Sequence, residues 1–197
     1  MQRRAALSGL LVLPLAPSLY SAGTGFTPAD KLIASARARI GRTRHYDPAY
    51  VSLDYPGGDV ASDRGVCTDV VIRAYRAAFD FDFQKAVHED MASDFSAFPS
   101  HWGLSRPDRN IDHRRVPNLE TFLARLGTEH PAGDWQPGDL YTGRLPGKNL
   151  PHIGVVSDKR SERTRRPLLI HNIGRGTEES DWIDLFQSPR RFRFFPA

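Results

Sequence analysis

The sequence predicts an α+β fold in which helices come first and a small antiparallel sheet follows. Two observations carry this prediction. Apolar residues recur at helical spacing in three segments between residues 28 and 126, whereas after residue 137 they form short runs separated by Pro, Gly and charged turns. Helices that precede the strands, instead of alternating with them, are typical of an α+β domain.

Three helices are predicted, each from its start signal. Thr27 and Asp30 form a capping box at the start of the first helix. The second helix begins at Cys67, and its apolar residues form one stripe that faces a core. Asn118 caps the third helix, and Gly127 ends it.

The remaining segments are predicted as loops and strands. Residues 42–66 are rich in Pro, Gly and Asp, which predicts a long ordered loop, and loops of this length often carry function. Residues 80–117 are mixed, which favours short helices and a long surface excursion. Short strands are predicted at residues 140–142, 153–157, 168–171 and 191–195.

Composition limits the class of protein. The chain has 197 residues, of which 40% are hydrophobic and 25% are charged, so one domain can bury its own core. The net charge is only +4, and the densest basic run, residues 159–166, holds no aromatic residue that could stack on a base. We therefore expect no nucleic-acid binding and place this run in a solvated hairpin loop.

The first 23 residues have the layout of an export signal. Arg3 and Arg4 precede a mostly apolar run, and small residues follow at positions 21–23. The run contains two prolines and is shorter than the roughly 20 residues that a transmembrane helix needs. We expect a signal peptide over residues 1–23 and one mature domain over residues 24–197. That domain would be periplasmic or secreted, with no stable membrane insertion after signal cleavage.

Cys67 is the first candidate for chemistry. It is the only cysteine, which excludes an intramolecular disulfide, and it lies at a predicted helix start. The free N–H groups and the dipole of a helix start favour an anion, so a thiol there has a depressed pKa. We expect Cys67 to be a partly accessible nucleophile of low pKa.

Two histidines are placed to assist this thiol. His152 opens one predicted strand and His171 ends the next. If these strands pair in an antiparallel hairpin, both imidazoles lie at the same edge of the sheet. One histidine can then act as the base and the other can orient it, which is the arrangement that a cysteine hydrolase needs.

Two other interpretations fit the same three residues. A lone cysteine is often a small buried hydrophobe, and a histidine at a strand end is often structural. A Cys/His/His metal site is also conceivable, although no carboxylate ligand lies in register with it. We favour catalysis and expect neither a metal nor a cofactor.

Several strings of residues, taken together, resemble a known family. Their order along the chain is similar to that of the NlpC-type papain-like cell-wall peptidases: Gly41, Tyr46, the glycines at 57 and 58, Cys67, the turn at 136–140, and the strands that carry His152 and His171. Longer strings resemble the domain of unknown function 1287, a bacterial exported family placed by similarity in that peptidase clan. They lie at residues 55–60, 63–71, 87–91, 110–118 and 150–154.

The resemblance implies a papain-like fold and a role for each candidate. Cys67 would be the nucleophile, His152 the general base and His171 the orienting residue. The oxyanion and substrate contacts would come from the loop before the nucleophile, through Tyr46, Tyr55, Asp63 and Arg64. The sequence around Cys67 differs from the Asp-Cys-Ser-Gly of the peptidases, which leaves the substrate preference open.

The function implied is that of an exported cysteine hydrolase. It would cleave an amide bond, most plausibly in the stem peptide of peptidoglycan, and would work as a monomer on that cell-wall peptide. A non-catalytic module that binds cell-wall peptides in the same cleft is an alternative, and an acyltransferase that uses the same triad is another.

Overall fold

Four α-helices and a six-stranded antiparallel sheet make up residues 25–196, the part of the chain that this computed structural model describes. The α+β class predicted from the sequence is confirmed. The predicted signal peptide lies outside the described residues. Within residues 25–196, no helix is both long enough and apolar enough to cross a membrane.

The helices begin close to where their start signals predict. They are α1 (Pro28–Arg37), α2 (Cys67–Phe79), α3 (Phe83–Ser93) and α4 (Val116–Arg125). At α1 the Thr27 hydroxyl accepts the Asp30 N–H, and the Asp30 carboxylate accepts the Thr27 N–H, as expected of a capping box. The predicted cap at Asn118 is wrong: the cap is Arg115, three residues earlier. Pro117 is tolerated in a first turn, and the Asn118 amide donates to the carbonyl of Asp112.

Six strands form one sheet after the helices. A short parallel pair comes first, β1 (His45–Tyr46) with β2 (Arg64–Gly65). The sheet then contains β3 (Glu129–His130), β4 (Leu140–Arg144), β5 (Pro151–Arg160), β6 (Pro167–Asn172), β7 (Thr177–Ser180) and β8 (Gln187–Phe192). Its order is β3-β8-β4-β5-β6-β7, and β7 is a strand that the sequence pattern does not predict.

The two faces of the sheet bury different sets of side chains. One face packs against α1, α2 and α4 through apolar residues that include Leu140, Ile153, Val155 and Ile170. The other face carries a smaller cluster: Trp135, Tyr141, Val156, Leu169, Ile183 and Phe186. Side chains alternate between faces along each strand, so His152 and His171 share the second face with Val156 and Leu169.

The long loop before α2 is fixed from inside by one buried arginine. Arg73 of α2 forms a bidentate ion pair with Asp59, at 2.7 and 2.9 Å. Its guanidinium also donates to the Thr43 hydroxyl and to the carbonyl of Arg64. This guanidinium therefore ties three points of residues 42–66 to the helix that begins at Cys67.

Candidate active site

The start of α2 is held in place by a buried ion pair. The Asp69 carboxylate accepts the N–H of Val66 at 2.6 Å, and Arg114 donates to both oxygens of the same carboxylate at 3.0 Å. Both side chains are almost fully buried, with 3% and 2% of their surface exposed. The peptide on either side of Cys67 is thus positioned by a charge pair whose members lie 45 residues apart.

Cys67 occupies the first position of α2, as predicted, but its environment differs from the expectation. The residue is buried, and the nearby backbone N–H groups of Ile153, Thr68 and Cys67 itself act to lower the pKa of its thiol. Burial outweighs these donors and raises the pKa of the Cys67 thiol to about 11. The expectation of a partly accessible thiol of low pKa is therefore wrong, because Cys67 packs among the buried residues of the core, next to Ile153 of β5.

The predicted pair of histidines is present, and the two imidazole rings are hydrogen-bonded to each other. Nε2 of His152 lies 2.8 Å from Nδ1 of His171, with the two rings nearly perpendicular. β5 and β6 form the expected antiparallel hairpin, in which Val155 pairs with Ile170. Because Nε2 of His152 is engaged by His171, Nδ1 is the nitrogen left to take a proton.

A glycine makes room for this contact. Gly154 lies two residues after His152 on the same face of β5, opposite His171 of β6. A methyl group added to Gly154 would come within 3.1 Å of the His171 Cβ and of the Ile170 carbonyl. The missing side chain thus lets the two imidazoles approach each other diagonally across the strands.

Aromatic side chains enclose the pair and keep it neutral. Phe186 stacks on the ring of His152 with centroids 4.9 Å apart, and Trp182 lies 6.1 Å from His171. Burial, and then the nearby His171, hold the pKa of His152 well below its ordinary value. Burial lowers the pKa of His171 to about 4. At neutral pH both rings are therefore uncharged imidazoles.

Cys67 and His152 line the same open cleft, which has a volume of about 440 Å³. Its walls are mostly apolar and aromatic, with three cationic side chains among them: Lys148, Arg115 and Arg114, the last of which is paired with Asp69. Its other lining residues include Tyr46, Trp102, Pro117 and Pro151. Trp102 lies under the guanidinium of Arg115, 4.1 Å from the ring centre, and closes one side of the cleft.

Of the four loop candidates, only Tyr46 lies at the cleft. Tyr46 is half-buried; partial desolvation, followed by the neighbouring Cys67, raises the pKa of its hydroxyl to about 12, so this hydroxyl is a hydrogen-bond donor at neutral pH. Tyr55 lies elsewhere, against the ring of His88 and the guanidinium of Arg109. Asp63 and Arg64 pair with each other at 3.4 Å and are likewise not among the lining residues.

Sequence reasoning missed several residues of the site. Trp102 and Arg115 come from the excursion at residues 80–117, whose pattern gave no sign of which side chains turn inward. Ser180 of β7 lies 2.9 Å from Nε2 of His171, and no alternation of apolar residues announces its strand. Among residues 25–196, no group of three or more His, Cys, Asp or Glu side chains is arranged to hold a metal ion.

Comparison with known proteins places the chain among relatives. The family described as "Domain of unknown function (DUF1287)" matches residues 33–194, which is most of the chain. The chain is also 51% identical over 178 residues to the uncharacterized protein YijF of Escherichia coli strain K12. That match covers 88% of this chain and 83% of the relative.

Proposed function

We propose that this chain, which belongs to the DUF1287 family, is an exported thiol hydrolase that cleaves an amide bond through Cys67, His152 and His171. The observation that carries the proposal is the 2.8 Å contact between the two imidazoles at a cleft that the only cysteine also lines. We also propose that the helices followed by an antiparallel sheet form a papain-like fold of the NlpC type.

The reaction begins with a neutral pair, because burial keeps both the thiol and the imidazole uncharged. As the sulfur attacks the carbonyl carbon of the substrate, Nδ1 of His152 takes the thiol proton, and the carbonyl oxygen gains the negative charge. The Tyr46 hydroxyl and backbone N–H groups at the start of α2 are the donors available to that oxygen. His152 then protonates the leaving amine, and a thioester remains on Cys67.

Water completes the cycle. Bound in place of the amine, it gives one proton to His152 while its oxygen attacks the thioester carbon. The carboxylic acid leaves, and the proton on His152 returns to the sulfur. His171 accepts a hydrogen bond from His152 throughout, which holds the ring in place as its charge changes.

The cleft supports a peptide as the substrate. A second groove of about 550 Å³ adjoins it, and Trp102, Pro117 and Pro151 line both. The two grooves together offer an extended path, and the cations Arg115 and Lys148 would attract carboxylates along it. A cell-wall stem peptide in the periplasm, or outside the cell, combines an extended chain, carboxylates and amide bonds.

A binding module that does not cleave is the second candidate. The observation in its favour is the buried Cys67 thiol, since a raised pKa leaves little thiolate at neutral pH. In this case the cleft would hold the same peptide without turnover.

The test is incubation of purified muropeptides with the protein, followed by mass spectrometry. We expect products with the wild type and none with Cys67→Ala or His152→Ala, because nucleophile and base act as one unit. His130→Ala is the matched control, since His130 is an exposed histidine on β3. Intact peptides that stay bound to the wild type would contradict the hydrolase proposal and support the binding module. Products that carry a new amine would show acyl transfer.

A further inference from the structure

The last strand of the sheet carries two polar side chains that continue the line of the histidine pair. Nε2 of His171 lies 2.9 Å from the Ser180 hydroxyl oxygen, and that hydroxyl donates to the Glu178 carboxylate at 3.1 Å. The same carboxylate oxygen is 3.8 Å from Nε2 of His171. Both residues belong to β7, where Glu178 pairs with His171 and Ser180 with Leu169.

The carboxylate fixes the direction of these hydrogen bonds. A serine hydroxyl has one proton, and an ionised carboxylate can only accept. Because the Ser180 proton points to Glu178, the Ser180 oxygen can only accept from His171. The proton of the His171 ring must therefore be on Nε2.

The position of the proton on His171 determines the position of the proton on His152. A neutral imidazole has one N–H and one lone pair, and burial keeps His171 neutral. With the proton on Nε2, Nδ1 of His171 is an acceptor, so Nε2 of His152 must carry a proton to donate across the 2.8 Å contact. The lone pair of His152 then lies on Nδ1, the nitrogen that has to receive the thiol proton.

We infer that Ser180 and Glu178 are positioning residues that set the tautomer of both histidines and thereby hold His152 in the form that acts as a base. The inference rests on the proposed function for its consequence. If Ser180 instead donated to Nε2 of His171, the donor and acceptor would also exchange in the hydrogen bond between His171 and His152. His152 would then carry its proton on Nδ1 and could not accept one from Cys67.

The Glu178 carboxylate also stabilises positive charge on the histidine pair electrostatically. When His152 takes the thiol proton it becomes a cation inside an aromatic enclosure, where a charge is costly. The Glu178 carboxylate is the nearest acidic group along the line of hydrogen bonds from His152, and 26% of its side chain is exposed to solvent. Its charge favours a cation on the histidine pair.

The experiment is long-range ¹H–¹⁵N NMR of the protein labelled with ¹⁵N-histidine, which reports the tautomer of each ring. In the wild type at neutral pH we expect the Nε2–H form for both His152 and His171. In Ser180→Ala and in Glu178→Gln we expect the Nδ1–H form to become populated, since neither variant retains a serine held by a carboxylate. Ser180→Thr keeps the hydroxyl and should restore the wild-type spectrum.

A matched control comes from the same sheet. The Ser157 hydroxyl is also buried and hydrogen-bonded to a glutamate, Glu179, but neither side chain is hydrogen-bonded to a histidine. Ser157→Ala should leave both tautomers unchanged. An Nδ1–H form of His171 in the wild type, or identical tautomers in Ser180→Ala, Glu178→Gln and the wild type, would overturn the inference.

Turnover provides the second readout, and it separates this inference from the proposed function. We expect kcat of Ser180→Ala to fall about 10- to 100-fold with KM unchanged, and Ser180→Thr to recover most of the loss. If the tautomers are as assigned and no muropeptide is cleaved, the inference stands and the hydrolase proposal fails. If peptides are cleaved while His171 carries its proton on Nδ1, only the inference fails.

Discussion

The two sides of the candidate site are held by different forces. On the nucleophile side, a buried ion pair between Asp69 and Arg114 fixes the start of α2. On the base side, neutral hydrogen bonds and aromatic contacts hold His152 and His171, and a charge enters only at Glu178, at the outer end of the line. The ion pair thus positions the start of α2, which carries Cys67. Neutral contacts surround His152, the residue whose protonation state must change during the reaction.

This difference separates stability from chemistry. Breaking a buried ion pair leaves an uncompensated charge in the core, which lowers the free energy of unfolding. Altering a neutral hydrogen bond costs much less stability but changes where a proton resides. Damage to the nucleophile side should therefore appear first as unfolding, and damage to the base side as lost reactivity.

The largest expected effect is on the nucleophile side. Arg114→Met keeps much of the side-chain volume but leaves the Asp69 carboxylate buried without its partner. We expect the free energy of unfolding to fall by about 3–5 kcal/mol, as measured by urea denaturation.

Lys85→Met is the control for this variant, since it breaks the exposed pair with Glu89 and should change the stability little. Equal losses in both variants would mean that the buried pair does not hold the start of α2.

The second effect concerns the thiol itself. Burial raises the pKa of Cys67 to about 11, and only the thiolate reacts, so alkylation by iodoacetamide should rise with pH through an inflection well above 8.5. At pH 7 the folded protein should react at least a hundredfold more slowly than the same chain unfolded in urea. Mass spectrometry at a series of pH values measures both. An inflection below pH 7 would instead indicate a thiolate paired with a charged histidine.

The smallest expected effect comes from Gly154→Ala, which tests whether the two imidazoles on the base side must lie close together. Gly154→Ala adds a methyl group 3.1 Å from the His171 Cβ, which pushes the two imidazoles apart. We expect a loss of about 1–2 kcal/mol in stability and about a tenfold fall in turnover, measured by urea denaturation and muropeptide cleavage. Gly25→Ala, where the added methyl group meets open space, should change neither. Unaltered turnover in Gly154→Ala would show that the close approach of the rings is not required.

Much of the architecture follows from local sequence signals. The capping box at Thr27, the helix start at Cys67 and the antiparallel hairpin that aligns His152 with His171 were all predictable. Each depends on residues within a turn or a strand of one another, through caps and periodicity. The start of α4 was misplaced by three residues, because Asn118 does not cap the helix but hydrogen-bonds to the carbonyl of Asp112 in the turn before it.

The sequence by itself determined which residues could do chemistry, and only the tertiary structure decided their state. One cysteine at a helix start and two histidines at facing strand ends can be read from spacing. The burial that raises the pKa of Cys67, the ion pair across 45 residues, and the β7 strand that brings Ser180 to His171 depend on what packs around them. Desolvation and the choice of hydrogen-bond partner are properties of the assembled core, so a pattern of neighbouring residues does not contain them.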